Sequence, residues 1–391
     1  RVKSMSILKV YNPIDLEIDH GDGVYVYSED GTRYLDFTSG IGVLSLGYSH
    51  PALVAALKDQ AEKIWHCSNL FKINKQKIVA EKIAKNSFAD SVFFCNSGAE
   101  ATETSIKVAR KFQYDLGFKN KNKIITFQGA FHGRTLASLY AANNESHIEG
   151  FGPKVDGFIN IPFADHEALH SAIDDSVAAV MVETILGEGG IKVIPDECLV
   201  GLRKICDERK ILLILDEVQC GVGRTGKFFA FEWSKIEPDI VPIAKGIGGG
   251  FPIGACLLNK KVSKCMSVGT HGSTFGGNPL AMSVANVVLD HILKKDFLEH
   301  VLKTGNYLKE KLNKEILKVF PSLIEEVRGK GLMLGIKPKI SNEIIIEQMR
   351  NEKILSVKAS DNIIRLLPPL ILQDSHVDEA VEKIKKALSK I

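Results

Sequence analysis

The sequence predicts an α/β protein, with a large domain of mostly parallel sheet flanked by helices and a smaller α+β domain. From about residue 50 to residue 280, short apolar segments alternate with helical patterns, as is typical of parallel sheets. Residues 211–215 and 239–244 are apolar almost throughout, as expected of strands covered on both faces. From about residue 281 the pattern changes to long amphipathic helices and short strands, which indicates the smaller domain.

The predicted elements divide the chain into three segments. Residues 1–49 contain two short strands around a turn at Asp30-Gly31 and are assigned to the smaller domain. Residues 50–280 form the large domain, with strands predicted at 91–95, 123–127, 178–182, 211–215 and 239–244. Residues 281–391 complete the smaller domain, with strands predicted at 325–327, 332–337 and 363–367. Ser375 is predicted to be the N-cap of the last, amphipathic helix.

Composition argues against several classes of function. The 391 residues include 50 Lys and Arg against 47 Asp and Glu, and no basic run suggests a nucleic-acid partner. No apolar stretch approaches the ~20 residues that span a membrane. The seven cysteines lack paired CxxC spacing, and no His/Cys cluster has metal-ligand spacing. We therefore expect reduced thiols, a cytoplasmic location and no metal.

A carboxylate and a lysine each follow an apolar strand. Asp216 ends the run at 211–215, and Lys245 ends the run at 239–244. Ligands of parallel sheets bind beyond the carboxyl ends of the strands, so both side chains should face one crevice. A lysine there can form a Schiff base, and a carboxylate there can keep a heterocyclic nitrogen protonated. Pyridoxal 5'-phosphate requires that pair.

A candidate phosphate cradle lies at the end of the strand at 91–95. The chain passes through Asn96-Ser97-Gly98-Ala99 into a helical pattern. Free N–H groups at a helix start can approach a phosphate closely, especially among small residues. A plain N-cap at Ser97 or Asn96 is the alternative interpretation.

The glycine-rich loop after the strand at 123–127 offers two further candidates. Phe131 has a flat face for a cofactor ring, and Arg134 has a bidentate fork for a carboxylate. The alternatives are loop packing for Phe131 and a surface or interdomain ion pair for Arg134.

Three other segments carry candidate residues, each with a structural alternative. Glu183 or Glu188 could orient an arginine or a cofactor hydroxyl, or could be a solvated acid of a glycine-rich loop. Ser273 and Thr274 lie in a loop whose hydroxyls and amides suit a phosphate, or in an ordinary loop. Arg365 interrupts an apolar strand, so it binds a substrate carboxylate or lies on a solvated edge.

These segments together resemble the class III (subgroup II) aminotransferases of the fold-type I pyridoxal-phosphate superfamily. The resemblance extends from Tyr34 to Leu370. The motifs that carry it are 96–100, 131–135, 216–219 with 223–226, 245–252, 272–279 and 328–331. The resemblance implies fold type I and a homodimer whose active site lies at the subunit interface.

The resemblance implies specific roles around the cofactor. Lys245 would hold pyridoxal phosphate and then move the proton between carbons, and Asp216 would pair with the pyridine nitrogen. Gln219 would approach the ring hydroxyl. The remaining cofactor contacts would be the ring sandwich of Val218 and Phe131, the phosphate site of Ser97, Gly98 and Ala99, and Glu183.

Other residues are implied to contact substrates or the neighbouring subunit. Arg134 would hold the carboxylate of the amino donor, and Arg365 that of 2-oxoglutarate or glutamate. Glu188 would pair with Arg365 and mask it while a cationic donor is bound. Ser273 is assigned to the substrate, and Thr274 to the phosphate in the neighbouring subunit.

The leading functional hypothesis is transfer of the terminal amino group of N2-acetylornithine to 2-oxoglutarate, giving N-acetylglutamate 5-semialdehyde and glutamate. Alternatives are transamination of ornithine, succinylornithine, succinyldiaminopimelate or 4-aminobutyrate, an aminomutase, and a non-catalytic or nucleotide-binding protein. The family often has Glu-Pro-Ile-Gln-Gly-Glu where this chain has Thr184 and Leu186 in place of the proline and glutamine. This departure puts the rigidity of that loop in question.

Overall fold

The computed structural model describes residues 7–391. The strands of its first half are β1 (Ile18–Asp22), β2 (Tyr25–Ser28), β3 (Arg33–Asp36), β4 (Ser91–Cys95), β5 (Lys123–Phe127), β6 (Phe158–Ile161), β7 (Val177–Glu183), β8 (Ile185–Leu186) and β9 (Lys192–Val193). Those of its second half are β10 (Leu212–Asp216), β11 (Ile240–Ile243), β12 (Gly254–Leu258), β13 (Ile324–Lys330), β14 (Met333–Pro338), β15 (Ile354–Leu355), β16 (Val357–Ala359) and β17 (Ile363–Leu366).

Helices cover the sheets. They are α1 (Ser39–Gly42), α2 (Pro51–Ala61), α3 (Asn74–Lys85), α4 (Gly98–Asp115), α5 (Leu136–Ala142), α6 (Glu145–Ile148), α7 (His166–Ala172), α8 (Asp196–Glu208), α9 (Pro279–Ile292), α10 (Lys295–Lys311), α11 (Asn342–Asn351) and α12 (Asp374–Leu388). Short 3-10 helices lie at 230–234, 245–248 and 263–265, and a π-helical turn lies at 312–317. The four residues of α1 all have positive φ, so this element is a left-handed turn.

A seven-stranded sheet in the order β4-β12-β11-β10-β7-β5-β6 forms the centre of the fold. Six of its strands run in one direction, and β12 alone pairs antiparallel with both of its neighbours. Every residue of β7, β10, β11 and β12 is buried, which explains why these segments read as continuous apolar runs. The predicted fold class is confirmed.

Three smaller sheets accompany this centre: the antiparallel pair of β8 and β9, and two four-stranded sheets. One has the order β1-β2-β3-β15, and in it β3 pairs in parallel with β15, so the N-terminal strands share a sheet with the C-terminal part. The other is the antiparallel sheet β13-β14-β17-β16. The strands predicted in residues 281–391 are present within three residues of their predicted bounds. The domain boundaries at 49/50 and 280/281 stay a prediction.

The start of the last helix differs from the prediction. Gln373 is the N-cap of α12, and its backbone N–H donates to the His376 ring nitrogen Nδ1 at 3.0 Å. Ser375 therefore lies inside the first turn, and the predicted cap at Ser375 is wrong. Gln373 occupies the cap position that the sequence pattern assigned to Ser375, and the His376 ring accepts from its N–H.

Among residues 7–391, no helix is long and apolar enough to cross a membrane. The same residues contain no group of three or more His, Cys, Asp or Glu side chains arranged to hold a metal ion.

Candidate active site

A cleft of about 440 Å³ opens beyond the ends of β4, β5, β10 and β11. The predicted residues that line it are Ser97, Gly98, Ala99, Phe131, Arg134, Asp216, Val218 and Lys245. They come from four separate segments of the chain. Because the parallel strands end at one edge of the sheet, segments distant in sequence meet there.

Lys245 follows β11 and begins a short 3-10 helix with a φ of 47°. A left-handed conformation at a residue other than glycine is costly and persists where the surrounding structure fixes it. Desolvation, and to a lesser extent the positive charge of Arg365, lower the pKa of the Lys245 amine to about 8 against the opposing effect of nearby carboxylates. A lysine with such a pKa is an effective nucleophile near neutral pH.

Asp216 is held in place by His132, which was not among the predicted site residues. Its Oδ2 is 2.8 Å from His132 Nδ1, and its Oδ1 accepts from the Val218 backbone N–H at 3.0 Å. Burial alone would lower the His132 pKa, but the hydrogen bond and charge of Asp216 outweigh burial, so the pKa is raised. The two contacts hold the Asp216 carboxylate in one orientation.

The second histidine nitrogen, His132 Nε2, is buried and has no hydrogen-bond partner among the described residues. His132 lay in the motif around Phe131, but a lone histidine in a glycine-rich loop gave no sign of its partner. Its position in the loop that follows the buried strand β5 was the only available signal.

Glu183 holds the loop that carries Phe131. Its two carboxylate oxygens accept from the backbone N–H groups of Phe131 at 2.8 Å and Gly187 at 3.0 Å. Burial and the nearby Asp216 charge raise the Glu183 pKa to about 7. Glu183 is not among the residues that line the cleft, so its effect on a ligand passes through the ring of Phe131.

The candidate phosphate cradle is also a helix cap. The Ser97 hydroxyl accepts from the Glu100 N–H at 3.2 Å and donates to the Glu100 carboxylate at 2.9 Å, so Ser97 is the N-cap of α4. Gly98 and Ala99 are the first two helical residues, and their amides have no intrahelical acceptor. A Cβ at Gly98 would lie 2.8 Å from Val218 Cγ1, which explains the glycine. The N-cap alternative is confirmed, and the phosphate cradle stays a prediction that is compatible with it.

Arg365 lies on β17, an inner strand of its sheet, and its side chain is 2% exposed. The guanidinium Nη1 is 2.7 Å from Glu188 Oε1 and donates to the Gln219 side-chain oxygen at 3.0 Å. The alternative of a solvated edge arginine is therefore wrong. The same nitrogen serves two acceptors, which compensates part of the cost of burying the charge.

Gly187 is the second residue whose importance the sequence did not reveal. A Cβ on it would overlap with the Gln219 carboxamide, so the contact between Gln219 and Arg365 requires glycine at this position. The sequence showed a glycine before Glu188 but not the side chain that packs on it.

The predicted residues not yet placed are Arg134, which lines the cleft, and Ser273 and Thr274, which do not. Arg134 is exposed at the cleft wall, with its guanidinium 5.6 Å from the centre of the Phe131 ring. The Ser273 hydroxyl accepts from Asn96 Nδ2 at 3.3 Å, so Ser273 lies beside a lining residue. Thr274 is exposed and does not line the cleft of this chain.

Thr184, which differs from the residue that the family often has at this position, is held by a hydrogen bond. The Thr184 hydroxyl donates to Glu217 Oε1 at 2.6 Å, and Glu217 also accepts from the backbone N–H groups of Ala230 and Phe231. Burial raises the Glu217 pKa to about 7. Leu186 is fully buried. Thr184 thus fixes the loop by a hydrogen bond where the family often has proline.

Comparison with known proteins assigns the chain to a family. Residues 7–388 match the aminotransferase class-III family. The chain belongs to the class-III aminotransferases, and it is a pyridoxal-phosphate-dependent transaminase. It is similar to the acetylornithine aminotransferase of Brucella melitensis, with 50% identity over 381 residues, 97% of this chain and 94% of the relative.

Solved structures agree with this assignment. An ornithine aminotransferase from Toxoplasma gondii superposes with a TM-score of 0.94 at 31% identity, covering 98% of this chain and 93% of that one. N-acetylornithine aminotransferase from Stenotrophomonas maltophilia superposes with a TM-score of 0.85 at 36% identity, covering 97% and 96%.

The residues present fit pyridoxal phosphate. The amides of Gly98 and Ala99 can take a phosphate, and Phe131 and Val218 line the cleft where a flat ring would lie. The anchored carboxylate of Asp216 suits a protonated ring nitrogen, and Lys245 suits a carbonyl carbon.

The lowered pKa of Lys245 predicts how cofactor uptake depends on pH. The reactive form is the neutral amine, so below a pKa of about 8 the rate of covalent uptake should fall about tenfold per pH unit. Above that pH the rate should level off. The measurement is absorbance of bound cofactor after mixing apo-protein with pyridoxal phosphate at about pH 6 to about pH 10. A rate still rising tenfold per unit near pH 10, as for free Nα-acetyl-lysine, contradicts the prediction.

Proposed function

We propose that this chain transfers the terminal amino group of N2-acetylornithine to 2-oxoglutarate, giving N-acetylglutamate 5-semialdehyde and glutamate. Support for the donor comes from relatives named acetylornithine aminotransferase that are 49–50% identical over at least 95% of the chain. Support for two alternating substrates comes from the contact between Glu188 and Arg365. That ion pair is the observation on which the proposal chiefly rests.

The chain's own residues divide the work around the cofactor. Bound pyridoxal phosphate supplies a carbonyl carbon that exchanges amino groups and a ring that withdraws electrons. With the cofactor bound, Lys245 Nζ would act as the base that takes up and releases the proton of the donor carbon that bears the amino group. Asp216 keeps a proton on the ring nitrogen, and His132 keeps Asp216 in place.

The remaining cofactor contacts position the ring. Gly98 and Ala99, with Ser97 beside them, hold the phosphate, and Phe131 and Val218 enclose the ring. The Glu183 carboxylate accepts from the Phe131 backbone N–H at 2.8 Å and so fixes the position of Phe131. These contacts would hold the cofactor ring in one orientation relative to the bound substrate.

Two arginines receive the substrate carboxylates. Arg134 at the cleft wall holds the carboxylate of the amino donor, beside Ser273 and Asn96. Arg365 holds a carboxylate of 2-oxoglutarate after Glu188 moves away. While the cationic donor is bound, Glu188 neutralises Arg365, and both substrates can use one site. Gln219 contacts Arg365 in this state, and turns toward the ring hydroxyl when Arg365 is engaged by substrate.

Replacing Gly187 by alanine tests the link between Gln219 and Arg365. The new methyl group displaces the Gln219 carboxamide, so Arg365 loses one of its two acceptors. We expect kcat/KM for 2-oxoglutarate to fall about tenfold, or ~1.4 kcal/mol, with a smaller change for the donor. Single-turnover rates for each half-reaction measure the two effects separately.

Gly201→Ala is the matched control, because a Cβ at Gly201 meets no atom within 4 Å. Equal losses in both half-reactions of Gly187→Ala would show a general distortion of the loop and contradict the proposed link.

The homodimer is part of the same proposal. Large apolar side chains are exposed at Ile64, Trp65, Leu70 and Phe71, and Leu70 is 89% exposed. Asn69 in this segment donates to the backbone oxygens of Ser273 and Gly276, so exposed Thr274 lies close to this apolar surface. A second copy docked there would cover the surface and would bring Thr274 to the phosphate of its neighbour.

Leu70→Asp should therefore give a monomer that loses cofactor. A charge at this position is costly to bury in an interface. Analytical ultracentrifugation measures the assembly, and dialysis followed by absorbance measures cofactor retention. Val319→Asp is the control, because Val319 is an exposed apolar residue of the C-terminal part. A Leu70→Asp protein that stays dimeric at micromolar concentration contradicts this placement of the interface.

A cytoplasmic location completes the proposal. All seven cysteines are free, as expected in a reducing compartment. Fractionation of the native host with an antibody to the chain tests the location, and recovery outside the cytoplasm overturns it.

A donor panel tests the function itself. The donors are N2-acetylornithine, ornithine, N2-succinylornithine, succinyldiaminopimelate and 4-aminobutyrate, each with 2-oxoglutarate, and glutamate formation is measured. We expect the highest kcat/KM with N2-acetylornithine. A higher value with any other donor replaces the proposed donor, and turnover of one substrate without 2-oxoglutarate would indicate an aminomutase.

A further inference from the structure

A second cavity, of about 420 Å³, lies between α7 with its preceding loop and α8. It shares no lining residue with the active-site cleft. Its walls are mostly apolar and include Phe127, Phe163, Leu202 and Ile205. A volume of this size is in the range of small-molecule sites, which begins at about 300 Å³.

Gly201 of α8 shows that the space beside the helix is open. It lines the cavity, and a Cβ added there meets no atom within 4 Å. Glycine inside a helix costs about 1 kcal/mol relative to alanine, so packing alone gives no reason for a glycine here.

The polar groups at the cavity carry negative charge. Asp165 and Glu197 line it, both are exposed, and neither has an ion-pair partner among residues 7–391. Asp165 Oδ1 accepts from the Ala168 backbone N–H at 2.8 Å as the N-cap of α7. No lysine or arginine of residues 7–391 lines the cavity. The other polar groups are the His166 ring and the Cys198 thiol, with His166 Nε2 4.0 Å from Cys198 Sγ. Apolar walls with two exposed carboxylates and no basic group beside them suit an apolar body that carries a cation.

The cavity also touches the supports of the active site. Phe127 is the last residue of β5, directly before the loop that carries Phe131 and His132. Val182 lines the cavity and precedes Glu183, which holds the Phe131 backbone. A molecule bound in the cavity would therefore contact β5 and β7, the two strands whose ends lead to Phe131 and Glu183.

We propose that this cavity is an accessory site for a small organic cation with an apolar body, and that its occupant alters turnover through Phe127 and Val182. The second half of this proposal rests on the transaminase activity, whereas binding itself can be measured without turnover. A failure of the proposed donor would therefore leave the binding result intact.

The binding test uses benzyltrimethylammonium, which cannot react with the cofactor because it has no N–H group. Benzyl alcohol is the neutral comparison and phenylacetate the anionic one. Calorimetric titration of the cofactor-loaded protein should give a dissociation constant for the cation at least about tenfold below that for phenylacetate. Equal affinity for cation and anion overturns the proposed ligand class.

Variants at Gly201 locate the bound probe. Gly201→Leu fills the cavity from a helix that favours leucine over glycine, so folding should be retained. We expect this variant to weaken binding of the cation at least about tenfold and Gly201→Ala to change it about twofold or less. Unchanged affinity in Gly201→Leu places the probe elsewhere and overturns the site.

Steady-state kinetics test the coupling. At a saturating concentration of the cation, kcat or KM should change at least about twofold in the parent and stay constant in Gly201→Leu. The same change in both proteins indicates binding at the active site and overturns the coupling. Unchanged kinetics at saturation also overturn it.

Discussion

Replacing Lys245 by alanine should reduce turnover by about four orders of magnitude, or roughly 5.4 kcal/mol of barrier. The variant lacks both the amine that attaches the cofactor and the base that moves the proton. Among residues 7–391 no other lysine lines the cleft, so no described neighbour can replace it. Single-turnover transamination measures the loss. In the parent, borohydride should fix the cofactor on the peptide that contains Lys245, and in the variant it should fix none.

Two controls separate chemistry from folding. Lys260→Ala removes an exposed lysine outside the cleft and should leave turnover unchanged. Addition of methylamine to Lys245→Ala should restore part of the rate, since a free amine can replace the lost base. Turnover of Lys245→Ala at the rate of the parent would refute the assignment of this residue.

Asp216→Asn should lower kcat/KM by about three orders of magnitude, or roughly 4 kcal/mol. Asparagine keeps an oxygen for the Val218 N–H but cannot hold a positive ring nitrogen by charge. The electrons released at the reacting carbon then have a weaker sink. His132 loses its anionic partner at the same time, so its pKa should fall. Stopped-flow absorbance measures the slowed proton transfer, and histidine NMR measures the second effect.

Glu217→Gln is the matched control, because Glu217 is a fully buried acid directly beside Asp216. It accepts from one hydroxyl and two backbone N–H groups, so the amide group of glutamine leaves at least one of them unpaired. We expect a lower melting temperature with a nearly normal rate. An Asp216→Asn rate within tenfold of the parent would show that the carboxylate is not essential.

Most of the central sheet could be predicted from the sequence. Strands buried on both faces must be apolar throughout, so the runs at 211–215 and 239–244 stood out from the helical patterns around them. The reversed direction of β12 could not be predicted, because its residues read like those of its parallel neighbours. Direction depends on the length and path of the connection, which apolar periodicity does not encode.

The candidate site was predictable where chemistry demands a residue type at a strand end. Lys245 and Asp216 fall in this class. The contacts of His132, Gly187 and Gln219 could not be predicted, because they join segments up to 146 residues apart. A sequence shows which groups can bond but not which of them the fold brings within 3 Å.

The reversed strand β12 has a consequence for the lysine. Because β12 lies beside β11 and runs back against it, residues 244–253 connect two neighbouring, hydrogen-bonded strands without a crossover helix. Lys245 thus lies in a short connection whose two ends are fixed by paired strands. The conformational freedom of its backbone is therefore lost once, during folding. Each catalytic cycle then begins with the Lys245 amine already positioned, and no rearrangement of its backbone precedes the chemical step.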